Sequence, residues 1–346
     1  MHKAGLVCRA LTFSNPFLLK TPIHMSSAKD APNSASSIRG EWTSALDDLP
    51  PITEGQRRIP AFFFAHGSPL LLSNKKSGGP FSAVMELQGP RSPLAAFLTD
   101  FGPHLLRKYE PKAIVVFSAH WETNGETLVT DYGNDNPLLY DYYGFEKELY
   151  QVSFKSHGDS ATSKRVVDLL RKAGISARTT PKEEARGRDG RGFMGPGLDH
   201  GVFVPFKLMF GDATNVPIVQ VSIDGSLSPE TNWALGKALD ELRSQGVLIL
   251  SGGLTIHTFQ DMSAWAEKTA NARVRGFHSA IIDAVRSSPG SLKSSLCSLN
   301  KVPGFREAHP REEHFVPIYV AAGAGEEGSA RVINSQYGAA TFAFGV

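Results

Sequence analysis

Cysteine is nearly absent. Cys8 and Cys297 are the two in 346 residues, too few and too far apart for a disulfide framework or a Cys-based zinc site, so a reducing compartment is expected. A charge excess is missing too. Lys and Arg number 36 against 34 Asp and Glu, leaving +2, without the basic surplus that phosphate-backbone binding draws on, so nucleic acid is not an expected partner. Long apolar runs are also lacking. Residues 113–119 and 247–250 are among the longest and fall far short of the ~18 residues of a membrane span, so no membrane association is expected. What is there is an ordinary globular composition, 41% hydrophobic and 20% charged, sufficient for a sizeable core. The expected partner is a small molecule, and the length suits one catalytic domain with a tail.

The tail is residues 1–58. Ser, Pro and Asn are scattered through it without sustained periodicity, which reads as an irregular, mostly disordered extension. Its first 29 residues carry Lys3, Arg9, Lys20 and Lys29 and no acid before Asp30, a pattern compatible with a mitochondrial transit peptide. A plain extension of a cytoplasmic protein fits equally well, whereas Arg9 interrupts the apolar stretch a secretory signal would need.

Residues 59–346 alternate short apolar runs with longer amphipathic ones, the pattern of an α/β domain whose mostly parallel or mixed sheet is flanked by helices. Strands are predicted at 61–65, 113–119, 216–223, 247–251 and 316–321. Helices are predicted at 160–173, at 202–210, from Ser228 to Gly246, and from about Ala264 to Arg286.

Three predicted strands deliver a histidine at or just beyond their carboxyl ends: His66, His120 and His257. Ligands of open α/β sheets bind beyond these ends, so the three imidazoles are expected in one crevice. His200 opens the 202–210 helical run, and His309 and His314 lie directly before the last predicted strand. A lone strand-end histidine is commonly a satisfied core residue; three converging ones, with no cysteine at hand, point to a mononuclear metal held by nitrogen and oxygen donors, suiting Fe(II) or Zn(II). Rival chemistries have weaker signals. Ser68 lacks the Gly-x-Ser-x-Gly elbow of α/β-hydrolases, and Ser251-Gly252-Gly253 lacks the dinucleotide-binding spacing.

In order, the chain carries His66-Gly67-Ser68-Pro69, Ser118-Ala119-His120-Trp121-Glu122, Leu198-Asp199-His200-Gly201, Ser251-Gly252-Gly253 followed by His257, and Glu313-His314 followed by Pro317. In this the region from about Ile59 to Val346 resembles the LigB-type (class III) extradiol ring-cleavage dioxygenases, nearest to their DOPA 4,5-dioxygenase branch. The resemblance implies a phosphorylase/hydrolase-like α/β fold and cleavage of a catechol ring with O2. It implies His66, His120 and His314 as metal ligands, His257 as a further ligand or an acid/base group, and His200 as the residue that moves protons. The implied metal is Fe2+. Because His314 stands where better-studied relatives have a glutamate, the all-imidazole set also suits Zn2+. A zinc hydrolase on a related scaffold and a non-enzymatic binding member of the superfamily are the alternatives.

Other residues are read from their surroundings. The Gly- and Arg-rich segment 186–197 reads either as a solvated loop or as a lid whose Arg186, Arg188 or Arg191 meets a substrate carboxylate. Trp121 and Glu122 either wall and orient the site or simply pack. His309 is expected at the surface or behind a ligand, and His104, His157 and His278 receive no role.

Overall fold

The computed structural model describes residues 34–52, 58–74, 82–186 and 195–346, with side chains from Arg39 onward. Eight strands form one mixed sheet: β1 (Ala61–Ala65), β2 (Ala113–Thr123), β3 (Thr127–Asp131), β4 (Ala177–Pro181), β5 (Ile218–Asp224), β6 (Val247–Gly253), β7 (Ala330–Asn334) and β8 (Thr341–Phe344). Their spatial order is β4-β3-β5-β2-β6-β1-β8-β7. The four central strands β5, β2, β6 and β1 run parallel, while β8 joins β1, and β3 joins β5, antiparallel.

Alternation along the central strands explains why both faces are covered. On β1, Phe62 and Phe64 face one layer and Ala61 and Phe63 the other; β2 divides Ile114 and Val116 from Val115 and Phe117 in the same way, and β6 divides Leu248 and Leu250 from Val247 and Ile249. The first face packs α1 (Ser34–Asp47), α2 (Ser82–Gln88), α3 (Pro93–Tyr109) and α5 (His200–Phe210). On the second face lie α4 (Ser160–Lys172), α6 (Pro229–Lys237), α7 (Asp240–Ser244), α8 (Ala272–Val285), α9 (Pro289–Cys297), α10 (Phe305–Ala308) and α11 (Pro317–Ala324). No described helix is long and apolar enough to cross a membrane.

Several expectations are corrected. Residues 316–321 form the start of α11, not a strand. Pro317 has the φ a first helical turn needs, Ala321, Ala322 and Ala324 favour helix, and all-round apolarity marks a helix buried on every side. The helix expected from Ser228 to Gly246 breaks into α6 and α7 where Leu239 N–H bonds Gly236 O, an i−3 bond that tightens the turn. The helix expected from Ala264 begins at Ala272, because the Asn271 side chain accepts from the N–H groups of Arg273 and Val274 and caps it there.

The N-terminal extension departs from its reading as well. Residues 1–33 and 53–57 lie outside the described residues, but α1 is ordered onto the core, with Trp42, Leu46 and Leu49 buried. The Trp42 ring meets Phe97 edge-on at 5.6 Å, and its indole N–H, with the Arg39 guanidinium, donates to Asp100 on α3.

Candidate metal centre

Register sets the site. Ala65 lies opposite Gly253 and Ser118 opposite Gly252, so His66, one residue beyond β1, and His120, two residues beyond Ser118, leave the sheet at the same level. His120 is still within β2, in a stretch where the pairing with β5 shifts register between Phe117 and Glu122, the kind of irregularity that re-aims a side chain. His314 comes from the segment before α11, and that segment can approach because residue 253 is glycine. A Cβ on Gly253 would stand 2.3 Å from the His314 carbonyl oxygen, which instead accepts the Leu254 N–H at 2.8 Å.

His66, His120 and His314 are all nearly inaccessible, and one donor nitrogen from each lies within 4.8 Å of the others. Three imidazoles so placed cannot all be cations, and neutral imidazole nitrogen is a ligand for Fe(II) or Zn(II). The donor set therefore fits such an ion. His257 does not join this group. It stacks on His314, with ring centroids 3.5 Å apart and planes 13° from parallel, and its donor nitrogen groups with Glu313 and His314. About a fifth of its side chain is open to solvent. Its surroundings, reinforced by His314, still push its pKa well below the ordinary histidine value.

His200 is the first residue of α5, and its ring lies 4.0 Å from that of His120. It is held not by Asp199 but by Asp141, whose Oδ1 accepts the His200 backbone N–H at 2.8 Å and stands 2.8 Å from Nδ1. Since a carboxylate can only accept, a neutral His200 ring has its proton on Nδ1 and its lone pair on Nε2. The other oxygen of Asp141 is 3.4 Å from His120 Nδ1, so one buried carboxylate orients two imidazoles. Gly201 completes the fit, for a Cβ there would press on His120 and Ser118.

Asp199 has a different task. It accepts from Ser118 Oγ, Arg186 Nη2 and Gln220 Nε2, a buried and neutralised brace behind the site. Arg186 is thereby spent: it also donates to Gly197 O, and its guanidinium lies 4.2 Å over the buried Trp121 ring. The expectation that Arg186 meets a substrate carboxylate is thus replaced by a structural role, while Arg188 and Arg191 lie outside the described residues. Trp121 packs under Arg186, and Glu122 pairs with Arg311.

His309 is neither at the surface nor beside a ligand. It is fully buried among Phe277, Phe305 and Phe315, with Nε2 on Thr255 O. His104, His157 and His278 contact backbone carbonyls away from the cluster.

Aromatic surfaces flank the histidines. The Tyr142 ring stands 5.5 Å from His200, and Phe259 and Trp265 stand 5.2 and 5.9 Å from His257. Burial holds the Tyr142 phenol above its ordinary pKa, so it stays protonated; its hydroxyl donates to Leu149 O, which leaves the ring face to wall the site. A second cavity, of about 500 Å³, lies around Trp42 and Tyr337 and shares Trp265 with the surroundings of His257.

Sequence reasoning missed Asp141. Its one local signal is an acid set between Tyr140 and Tyr142, an aromatic setting in which a solvated carboxylate is out of place. Glu313 directly precedes His314 in sequence, and that adjacency is its only signal.

A mixed α/β sheet with a buried nest of imidazoles beyond its parallel strand ends is an arrangement that could hold a metal ion. Comparison with known proteins gives the particular family. The family model described as the catalytic LigB subunit of aromatic ring-opening dioxygenase matches residues 60–345, and the chain belongs to that family. It is 41% identical to a 4,5-DOPA dioxygenase extradiol-like protein of Schizosaccharomyces pombe, over 90% of this chain and 99% of that one. It is 30% identical to a 4,5-DOPA dioxygenase extradiol of Beta vulgaris, over 82% and 94% of the two chains. Among solved structures, an uncharacterized protein of Escherichia coli K12 shares the fold with a TM-score of 0.57 at 21% identity, covering 83% of this chain and all of that one.

Proposed function

We propose that this ring-opening dioxygenase acts on a catechol of the DOPA type, with Fe2+ held by His66, His120 and His314, and with His200 as the acid/base group. The observation that carries the reading is the convergence of three buried imidazole donors within 4.8 Å, beside a fourth whose Nε2 is left as an acceptor. The names of the Schizosaccharomyces pombe and Beta vulgaris relatives support the substrate class.

Bound Fe2+ would supply the electron path between the ring and O2. The chain's own residues do the rest. Three ligands leave positions open for a substrate to occupy. His200 accepts a catechol proton at Nε2 and returns it to the product, while Asp141 fixes its tautomer and stabilises the imidazolium formed in between. Tyr142, Phe259 and Trp265 offer apolar surface to an aromatic ring. The same nitrogen set accommodates Zn2+, which would support the hydrolase reading.

The test is oxygen uptake by the full chain loaded anaerobically with Fe2+ and then given a catechol. One O2 consumed per catechol, with a yellow ring-opened product, is the expected result. A metal-loaded protein that consumes no oxygen with any catechol would overturn the proposal.

A further inference from the structure

A line of charged groups runs from the end of β2 to the metal centre. Glu122, two residues beyond His120, is engaged through both carboxylate oxygens by the two terminal nitrogens of Arg311. Arg311 Nη1 also lies 3.5 Å from Glu313 Oε2. The other oxygen of Glu313 is 3.1 Å from His314 Nδ1 and 3.9 Å from His257 Nδ1. Exposure falls inward, from 50% at the Arg311 side chain to 16% at Glu313 and 5% at His314.

We infer that Glu313 is a positioning residue for the metal centre, held to its task by the Glu122–Arg311 pair. The inference rests on the metal reading above. An acceptor at Nδ1 keeps the proton on that nitrogen, so the Nε2 lone pair of His314 is the one available to an ion; a full negative charge there also strengthens imidazole as a donor. Glu313 faces two stacked imidazoles, and a carboxylate free to rotate could serve either. Arg311 Nη1, 3.5 Å from the far oxygen, draws it by charge without a hydrogen bond and so biases the near one toward His314. Because Glu122 shares its strand with His120, the brace also ties together the two segments that carry His120 and His314, whose ring centroids are 4.8 Å apart. The pair is half exposed at Arg311 but only 9% exposed at Glu122, so losing Arg311 leaves a nearly buried carboxylate unpaired and costs stability as well. Glu313→Ala leaves that pair intact, and its effect should appear in metal binding and not in folding.

Cobalt(II) serves as the probe, titrated into the metal-free full chain against a competing chelator, with visible absorption reporting coordination. Glu313→Ala should weaken Co2+ binding about 10–100-fold and shift the absorption band. Glu313→Gln, which retains an acceptor oxygen, should recover part of the loss. Arg311→Gln should weaken binding less and add little on top of Glu313→Ala, since both act through one contact. The thermal midpoint of metal-free Glu313→Ala should stay near the parent's, while that of Arg311→Gln should fall. Parent-like affinity and spectrum in Glu313→Ala, or fully additive losses in the double variant, would overturn the inference. If the parent itself bound no Co2+, the metal reading would fail, and this inference with it.

Discussion

His309 and His314 are five residues apart, both are buried, and their surroundings are opposed. The His309 ring is packed among three phenylalanines and spends Nε2 on a backbone carbonyl. The His314 ring faces His66, His120 and His257 and has a carboxylate on Nδ1. Burial disfavours the charged form of His309. What separates the two histidines is the company of their nitrogens, not their depth.

Exchanging the two kinds of histidine for alanine breaks the comparison most sharply. His120→Ala removes one of three converging donors; metal content should fall to background after dialysis and turnover with it, while the fold survives because Asp141, the partner of the lost ring, keeps both its bonds to His200. His309→Ala should do the reverse, keeping the metal and losing stability by about 2–4 kcal/mol for the cavity left among the rings. Metal analysis and chemical denaturation of the two variants check the pair. Metal retained by His120→Ala, or lost by a folded His309→Ala, would erase the distinction.

His200 sharpens the same contrast within the site. His200→Ala should keep the metal and lose at least ~100-fold in turnover, about 3 kcal/mol of transition-state stabilisation. His200→Gln can hydrogen-bond but cannot exchange a proton near neutral pH, so a rate restored by Gln would mean that positioning, not proton transfer, is the role. Metal content and turnover, measured on the same preparations, tell these apart.

Much of this was legible in the sequence. Apolar runs ending in His66 and His120 place two histidines correctly, because a strand buried on both faces must be almost wholly apolar and its end is marked by the first polar residue. The third, His314, was expected before a strand and is found before a helix. Val316, Ile318 and Val320 look like strand residues, and Pro317 and the alanines outweighed them only in a setting buried on all sides. Asp141 could not be read as a partner of His200, since that contact joins residues 59 apart in sequence. The edge strands β4 and β7 are short and half polar, too weak a pattern to detect. In contrast, the tail held a signal: Trp42 and Leu46 are spaced i, i+4, on one face of α1, with Leu49 buried two residues past its end. Removing the extension should therefore not be neutral. Trp42→Ala should cost about 3 kcal/mol or more, seen as a lowered denaturation midpoint with metal content unchanged; a midpoint equal to the parent's would return α1 to the status of a dispensable tail.

The smallest effect concerns pH. Burial lowers the His309 pKa from 6.5 to about 4, against a weaker upward pull from its bond to Thr255 O. Between these values the unfolded chain binds a proton that the folded one refuses, so stability must rise with pH across the window. The contribution is fully present above about pH 6.5 and is lost progressively as pH falls toward 4, by ~3 kcal/mol at most. His309→Gln keeps a donor for Thr255 O and has nothing to titrate. Denaturation of parent and variant in chelator, so that the histidine cluster contributes alike to both, isolates the difference. The stability of the parent relative to His309→Gln should decline steadily from pH 6.5 to 4.5. A difference that stays flat over that range would mean that His309 takes up a proton in place, and that its nest of phenylalanines is less closed than the packing indicates.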